Sequence, residues 1–232
     1  MGANRGIGPA RCLAVPVDAP LLQARQLTFG YGAAPVLQAI DLDVSKGSCT
    51  LIRGDNGAGK STLLHLLQGK VQPTAGWVRL SGRPLRGQRR RLALVPQAPS
   101  LRWHYPINLA GLVGMGCGDQ AQRTDQALHQ VGLAGLAHAP IAALSGGQRQ
   151  RALIALALAS QAEVLLLDEP FACLDDHSRL QLGELIQALV ASGTAVVLTA
   201  HGTLPGALPQ RRVLHLQQGQ LKQTEPAPGD RP

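Results

Sequence analysis

Aromatic residues are nearly absent from this chain. Two Phe, two Tyr and two Trp make up 3% of 232 residues, against an apolar fraction of 45%. A core can be filled, but mainly with Leu, Ala and Val. Cysteines are few and scattered (Cys12, Cys49, Cys117, Cys173), with no C-x-x-C pair. That spacing argues against a zinc cage or a disulfide framework and suits a reducing cytosol. Acidic residues are outnumbered, 14 against 22 Lys and Arg, for a net charge of +8. A nucleotide, an acidic membrane surface or nucleic acid would answer that charge. Much of the excess sits in Arg83, Arg86, Arg89, Arg90 and Arg91. A nucleic-acid surface would interleave aromatics and none stand there, so the run reads as a solvated surface that can lie near lipid headgroups.

Long apolar stretches are missing too. None approaches the ~18 residues needed to span a bilayer. Residues 152–159 are apolar but short, and no signal-peptide h-region follows Met1-Gly2-Ala3-Asn4-Arg5. A role at a membrane would need another chain to supply the span. The length suits one large or two small domains.

What is present begins with Gly54-Asp55-Asn56-Gly57-Ala58-Gly59-Lys60-Ser61-Thr62. It fits the G-x-x-x-x-G-K-[ST] phosphate-binding loop. Gly54, Gly57 and Gly59 let the backbone curl and turn its N–H groups towards a polyphosphate. Lys60 can reach the β- and γ-phosphates, and the Ser61 hydroxyl can ligate Mg²⁺. Thr62 and the residues after it open a helix whose positive end faces the anion. The flanks agree: an apolar, β-prone run from Cys49 to Ile52 precedes the loop, and Leu63-Leu64-His65-Leu66-Leu67 follows, closed by Gly69 as a C-cap. His65 reads as a side of that helix rather than a ligand.

Residues 1–20 are Gly-, Pro- and Ala-rich without periodicity and read as a loose extension. Short β-like runs follow at Leu22 to Phe29, Val36 to Val44 and Cys49 to Ile52. Tyr31, in a Gly-flanked turn, can stack on an adenine or simply pack. Gly76 to Arg83 reads as a β-hairpin arm and Leu92 to Val95 as a strand, ended by Pro96-Gln97. Gln97 can contact Mg²⁺ or water, or merely terminate the strand. Residues 98–160 change to Ala, Leu and Gln with helical periodicity, a helical insert. Inside it stands Leu144-Ser145-Gly146-Gly147-Gln148, where Ser145 is an N-cap and the two glycines expose N–H groups, a second anion site.

Val164 to Leu167 is continuously apolar, as a buried parallel strand should be. Asp168 and Glu169 follow, at the strand end that faces a ligand crevice. Asp168 can hold Mg²⁺ through water and Glu169 can polarise an attacking water. Leu174-Asp175-Asp176 leads into a helix from about Ser178 to Ser192. Ala195 to Thr199 is another buried strand, with His201 beyond it, placed to sense a γ-phosphate or to be an ordinary loop histidine. A final hairpin turns at Gly219, and residues 223–232 form a polar, Pro-rich tail that reads as disordered.

Taken together, residues 21–222 resemble an ATP-binding cassette (ABC) ATPase, the motor subunit of ABC transporters. Residues 54–62 resemble Walker A, residues 144–148 the LSGGQ signature, and residues 165–169 Walker B with its catalytic glutamate. Gln97 resembles the Q-loop, Asp175 the D-loop, His201 the H-loop and Tyr31 the A-loop aromatic. Departures are small: Asp55 where Pro is common, Gly202 where Asp is frequent after the histidine, and Cys173 in the D-loop.

The resemblance implies an α/β fold: a P-loop NTPase (RecA-like) core, an antiparallel β-subdomain and an inserted helical subdomain. It implies ATP and Mg²⁺, with Lys60, Ser61, Gln97 and Asp168 holding phosphates and metal, Glu169 activating water and His201 completing the γ-phosphate shell. Two cassettes, a homodimer or an unlike pair, would sandwich ATP head to tail, with Leu144, Ser145, Gly146, Gly147 and Gln148 acting in trans. Transmembrane permease subunits and an extracytoplasmic solute-binding protein would complete the system at the cytoplasmic face of the inner membrane; nucleic acid is not an expected partner. Trp103, Tyr105 and Pro106 fit the segment after the Q-loop of the manganese/zinc importer cassettes, and Met115-Gly116 fits its helix end, whereas Arg102 and His104 depart from it. The expectation is divalent-metal uptake. Another importer or a haem, drug or lipid exporter remains open, as does a soluble ABC protein of translation or DNA repair, which would usually carry two cassettes or a long coiled coil.

Overall fold

The computed structural model describes residues 20–32, 34–97, 103–118, 120–201, 208 and 211–223. The expected extension, the segment carrying Arg102, Gly202 and the residues of the tail after Gln223 lie outside them.

Among the described residues the chain forms two sheets and five α-helices. β1 (Leu22–Phe29), β2 (Leu37–Val44), β4 (Ala75–Leu80) and β5 (Arg83–Pro84) make an antiparallel sheet in the order β2-β1-β4-β5. The second sheet is built from β3 (Cys49–Arg53), β6 (Leu92–Val95), β7 (Val164–Leu167), β8 (Ala195–Ala200), β9 (Arg211–Gln217) and β10 (Gln220–Gln223). Its order is β10-β9-β3-β8-β7-β6, parallel except for the hairpin strand β10. Thus β3, which leads into the glycine loop, is central, flanked by β9 and β8, with β7 next beyond β8.

The parallel strands read as unbroken apolar runs because both faces are covered. Their alternation sorts residues between two cores. Ile52, Val164, Leu166 and Val197 face a core shared with the antiparallel sheet and with Leu63, Leu64, Leu66 and Leu67 of α1 (Lys60–Gln68). Leu51, Leu165, Leu167 and Leu198 face the other, shared with α2 (Leu109–Gly114), α3 (Ala121–Gln130), α4 (Gly146–Ala159) and α5 (Asp176–Ala191). Both cores are mainly Leu, Ala, Val and Ile, with Trp103 and Phe171 the aromatics among their buried members. No helix among the described residues is long and apolar enough to cross a membrane.

Element boundaries shift by a turn or less from the sequence reading. α1 starts at Lys60 rather than Thr62, because Gly59 serves as its N-cap, with φ 99°. α5 starts at Asp176 rather than Ser178, because Asp175 caps it. Gly69 ends α1 in the left-handed conformation, φ 72°. The arginine run is not uniformly solvated. Arg91 donates from Nη2 to Glu163 Oε2 at 2.8 Å and to Ser81 Oγ at 3.1 Å, tying the start of β6 to the turn before β7.

Candidate functional site

The loop between β3 and α1 is shaped by its glycines. Gly54 passes under β9, where a Cβ would lie 2.6 Å from the Leu216 carbonyl oxygen. Gly57 and Gly59 hold φ values of 80° and 99°, which L side chains rarely adopt. Asp55, Asn56 and Gly57 are exposed, and Ala58 donates its N–H to the Asp55 carbonyl at 3.1 Å. Ser61 is exposed and Thr62 buried.

Lys60 is 95% buried, an uncommon place for an ammonium unless acceptors surround it. Three do. Its Nζ donates to the Gly54 carbonyl at 2.8 Å and the Asp55 carbonyl at 3.1 Å, and stands 3.2 Å from Glu169 Oε1. The other carboxylate oxygen, Oε2, accepts from Gln97 Nε2 at 3.0 Å. Loop lysine, Walker B glutamate and strand-end glutamine are therefore brought together, although they come from α1, the end of β7 and the end of β6.

A residue that sequence reasoning passed over organises the two carboxylates. Thr199 on β8 is fully buried. Its hydroxyl donates to Asp168 Oδ1 at 2.8 Å and accepts the Glu169 N–H at 2.9 Å. The signal was available: Thr199 is a lone hydroxyl in an otherwise apolar strand, and a buried hydroxyl needs partners. Glu169 itself has φ 44°, a left-handed backbone that costs a non-glycine residue roughly 1 kcal/mol. Its bonded N–H helps to hold it there.

His201, exposed, follows β8. With Glu169, Thr199 and Cys173 it lines a cleft of about 310 Å³. Tyr31 is 73% exposed; its ring meets Phe29 edge-on at 5.0 Å, and its hydroxyl lies 3.5 Å from Thr62 Oγ1. An exposed aromatic beside the start of α1 offers a flat face next to the loop. His65 is half-buried on α1; burial, with Lys70 adding to it, holds its imidazole below the usual range.

The second glycine motif is constructed differently. Ser145 and Gln148 form a reciprocal capping box on α4: Gln148 N–H to Ser145 Oγ at 3.3 Å, and Ser145 N–H to Gln148 Oε1 at 2.9 Å. Leu144 is buried, while Ser145 and Gly146 face outward. Gly147 is hemmed in: a Cβ there would lie 2.5 Å from Ser178 Oγ. Ser178 is the first-turn partner of Asp175, whose carboxylate accepts its N–H and its hydroxyl, each at 2.8 Å. Those two bonds hold the Asp175 carboxyl below the usual range. Next on α4, Arg149 sets its guanidinium 5.3 Å from the Trp103 ring centroid and donates to the Ala142 carbonyl at 2.9 Å. The Trp103 side chain is buried, whereas Tyr105 and Met115 are exposed, 69% and 74%.

The oxygen chemistry available near Lys60 suits a hard cation carried on phosphates. Ser61 and Asp168 supply a hydroxyl and a carboxylate, and Mg²⁺ takes few protein ligands alongside phosphate and water. No cluster of three or more His, Cys, Asp or Glu side chains able to hold a metal occurs among the described residues.

Comparison with known proteins places this geometry. Residues 37–172 match the family model described as ABC transporter. The chain is 33% identical over 198 residues to the zinc transport system ATP-binding protein TroB of Treponema pallidum, covering 81% of this chain and 74% of that one. It is 40% identical over 202 residues to the aliphatic sulfonates import ATP-binding protein SsuB of Pseudomonas putida, covering 86% and 74%. Among solved structures, a subunit of the CbiONQ ABC transporter complex from Clostridium perfringens superposes with a TM-score of 0.78 at 25% identity, over 88% of this chain and 87% of that one.

Proposed function

Because the chain belongs to the ABC transporter family as an ATP-binding cassette, an ATPase, we propose that it is the motor subunit of a divalent-metal importer, acting with a separate permease. The observation that carries the motor assignment is the convergence of Lys60, Gln97 and Glu169, with Asp168 and Glu169 both fixed by Thr199.

Each residue has a task in hydrolysis. The N–H groups of residues 54–62 and the Lys60 ammonium receive the β- and γ-phosphates. When bound, Mg²⁺ neutralises phosphate charge, and Ser61, Asp168 and Gln97 would hold it. Glu169 accepts hydrogen bonds from an attacking water and orients it in line with the γ-phosphate. For that, Lys60 must turn from Glu169 Oε1 towards phosphate, which replaces a carboxylate partner by one of the same sign. His201 completes the γ-phosphate shell, and Tyr31 offers its exposed ring to the adenine. Ser145 and Gly146 face out of the subunit, with Gly147 buried behind them, so this helix start would serve the nucleotide of a second cassette. That arrangement makes the working unit a pair at the cytoplasmic face of the membrane, with a solute-binding protein feeding the permease.

The cargo reading rests on Trp103, Tyr105, Pro106 and Met115-Gly116, and on the zinc transport named for the Treponema relative. The higher identity to a sulfonate import cassette supports a second reading with the same motor and a different cargo. Uptake of labelled manganese, zinc and an aliphatic sulfonate, in cells carrying wild type or Glu169→Gln, separates them. Loss of one metal's uptake in the variant supports the proposal. Loss of sulfonate uptake alone transfers the cargo, and no change in any would send the search to the membrane protein that co-purifies.

A further inference from the structure

Between Asp55 and Asp119 the chain contains no Asp or Glu. The same stretch carries Arg79, Arg83, Arg86, Arg89 and Arg90, all exposed, together with Arg91. Arg91 is spent on Glu163, Gln88 and Ser81. The others are not: the side chains of Arg83, Arg86, Arg89 and Arg90 have no hydrogen-bond or ion-pair partner among the described residues. Arg89 instead lies over Gly69, at the carbonyl end of α1, where a cation is favoured.

Arg86 and Arg89 line a cleft of about 640 Å³ between the end of α1 and the β4–β5 arm. Leu66, Val71 and Leu85 contribute apolar surface to it, and Trp77, Arg86 and Arg89 complete its wall. Trp77 is 38% exposed, and Arg79 stacks on its ring 4.4 Å from the centroid. The carboxylates of this sheet are elsewhere. Asp41 and Asp43 sit on β2, at the opposite edge from β5, and are engaged by Gln26 and Arg25.

We propose that this face, centred on Trp77, Arg83, Arg86 and Arg90, docks on the headgroup layer of an anionic bilayer. Clustered unpaired guanidiniums and a half-exposed interfacial tryptophan match that surface. A single-stranded nucleic acid fits less well, since it needs a succession of free aromatic faces, and the one here is already covered by Arg79. Continuity adds to the case: Arg90 and Arg91 also line the wider groove that runs along β6 to Met115. On the transporter reading, the patch would rest on the lipid beside the permease. The test below uses no permease, so the two readings fail separately.

The chain's two tryptophans make the test local, since Trp103 is buried and Trp77 is not. Full-length protein is mixed with phosphatidylglycerol/phosphatidylcholine vesicles or pure phosphatidylcholine vesicles at ~0.1 M salt, where screening begins at about 10 Å. A blue shift of Trp77 emission and co-sedimentation with the anionic vesicles alone, both lost at high salt, are expected. The triple variant Arg83→Gln, Arg86→Gln, Arg90→Gln should bind about a hundredfold more weakly, at about fivefold per charge. It spares Arg89 and Arg91, so ATP hydrolysis in solution should persist. Arg86→Gln alone, expected at about fivefold, repeats the measurement if the triple variant is unstable. No binding to anionic vesicles, or equal binding by the variants, overturns the proposal. So does the same Trp77 shift with inorganic phosphate alone, or with an oligonucleotide at lower concentration than lipid.

Discussion

Lys60 and Ser145 both stand at helix starts flanked by glycine, yet their surroundings are opposite. At Lys60 the polar atoms are bound inside the chain, to two carbonyls and to a carboxylate that Gln97 also holds. At Ser145 the polar side chains cap their own helix, and Gly146 beside them faces outward. One region is pre-organised by its own chain. The other is a displayed surface, stiffened from behind by its capping box. A cassette that needs two copies of itself would be divided in this way.

The largest test of that contrast removes the inward half. Glu169→Gln should lower turnover by about 10²–10⁴-fold, the usual contribution of a positioned base, while ATP binding and ATP-driven dimerisation persist in sedimentation. Wild-type turnover would remove Glu169 from the role. Next comes the outward half. Gly146 has room, since the nearest atom to an added Cβ is Leu174 Cδ2 at 3.9 Å. In the Glu169→Gln background, Gly146→Asp should weaken ATP-driven dimerisation by at least about tenfold through like-charge repulsion, with the single chain's ATP affinity unchanged. An equal fall in both would mean that the two regions are not separate.

A smaller effect probes the pre-organisation itself. Thr199→Val keeps the shape but strands the Glu169 N–H, at about 1–3 kcal/mol of stability by chemical denaturation, with reduced turnover. Thr199→Ser should restore both, and a silent Thr199→Val would deny the hydroxyl its positioning task. The smallest lies away from both regions. Arg91 holds the Glu163 carboxyl below the usual range by hydrogen bonding, so the folded state binds its proton less readily than the unfolded chain. The pair's stabilisation is fully present above the unfolded value of 4.5 and fades as pH falls through the lower folded one. Partly exposed, it should contribute about 0–1 kcal/mol. Melting curves of Glu163→Gln and wild type should therefore converge below that pH, and a gap persisting in acid would contradict the pairing.

Much of this was legible in the residues themselves. Lys60, Asp168, Glu169 and the N-cap at Ser145 are local patterns: glycine spacing, an apolar strand ending in carboxylates, a hydroxyl before two glycines at a helix start. The strands β3, β7 and β8 announced themselves as short apolar runs. What the sequence concealed depends on which strands are neighbours. That Thr199 would sit against Asp168 follows only once β8 pairs with β7, and Arg149 meets Trp103 only once α4 packs against that ring. Arg91 looked like one of five equivalent cations, because Glu163 lies far off along the chain and near only in space.

The fit at Gly147 has a mechanical side. Because the space at Gly147 is too small for a Cβ, the start of α4 packs closely on the Ser178 side chain at the start of α5. Long flexible side chains in the gap would absorb a push; a glycine backbone against a short serine side chain, held by Asp175, passes it on. In a head-to-tail pair, pressure from the neighbour's nucleotide on Ser145 and Gly146 would reach Ser178 and its cap Asp175, a few residues along the chain from Glu169. Each subunit would then carry a strain gauge for its partner's load, wired to its own point of hydrolysis.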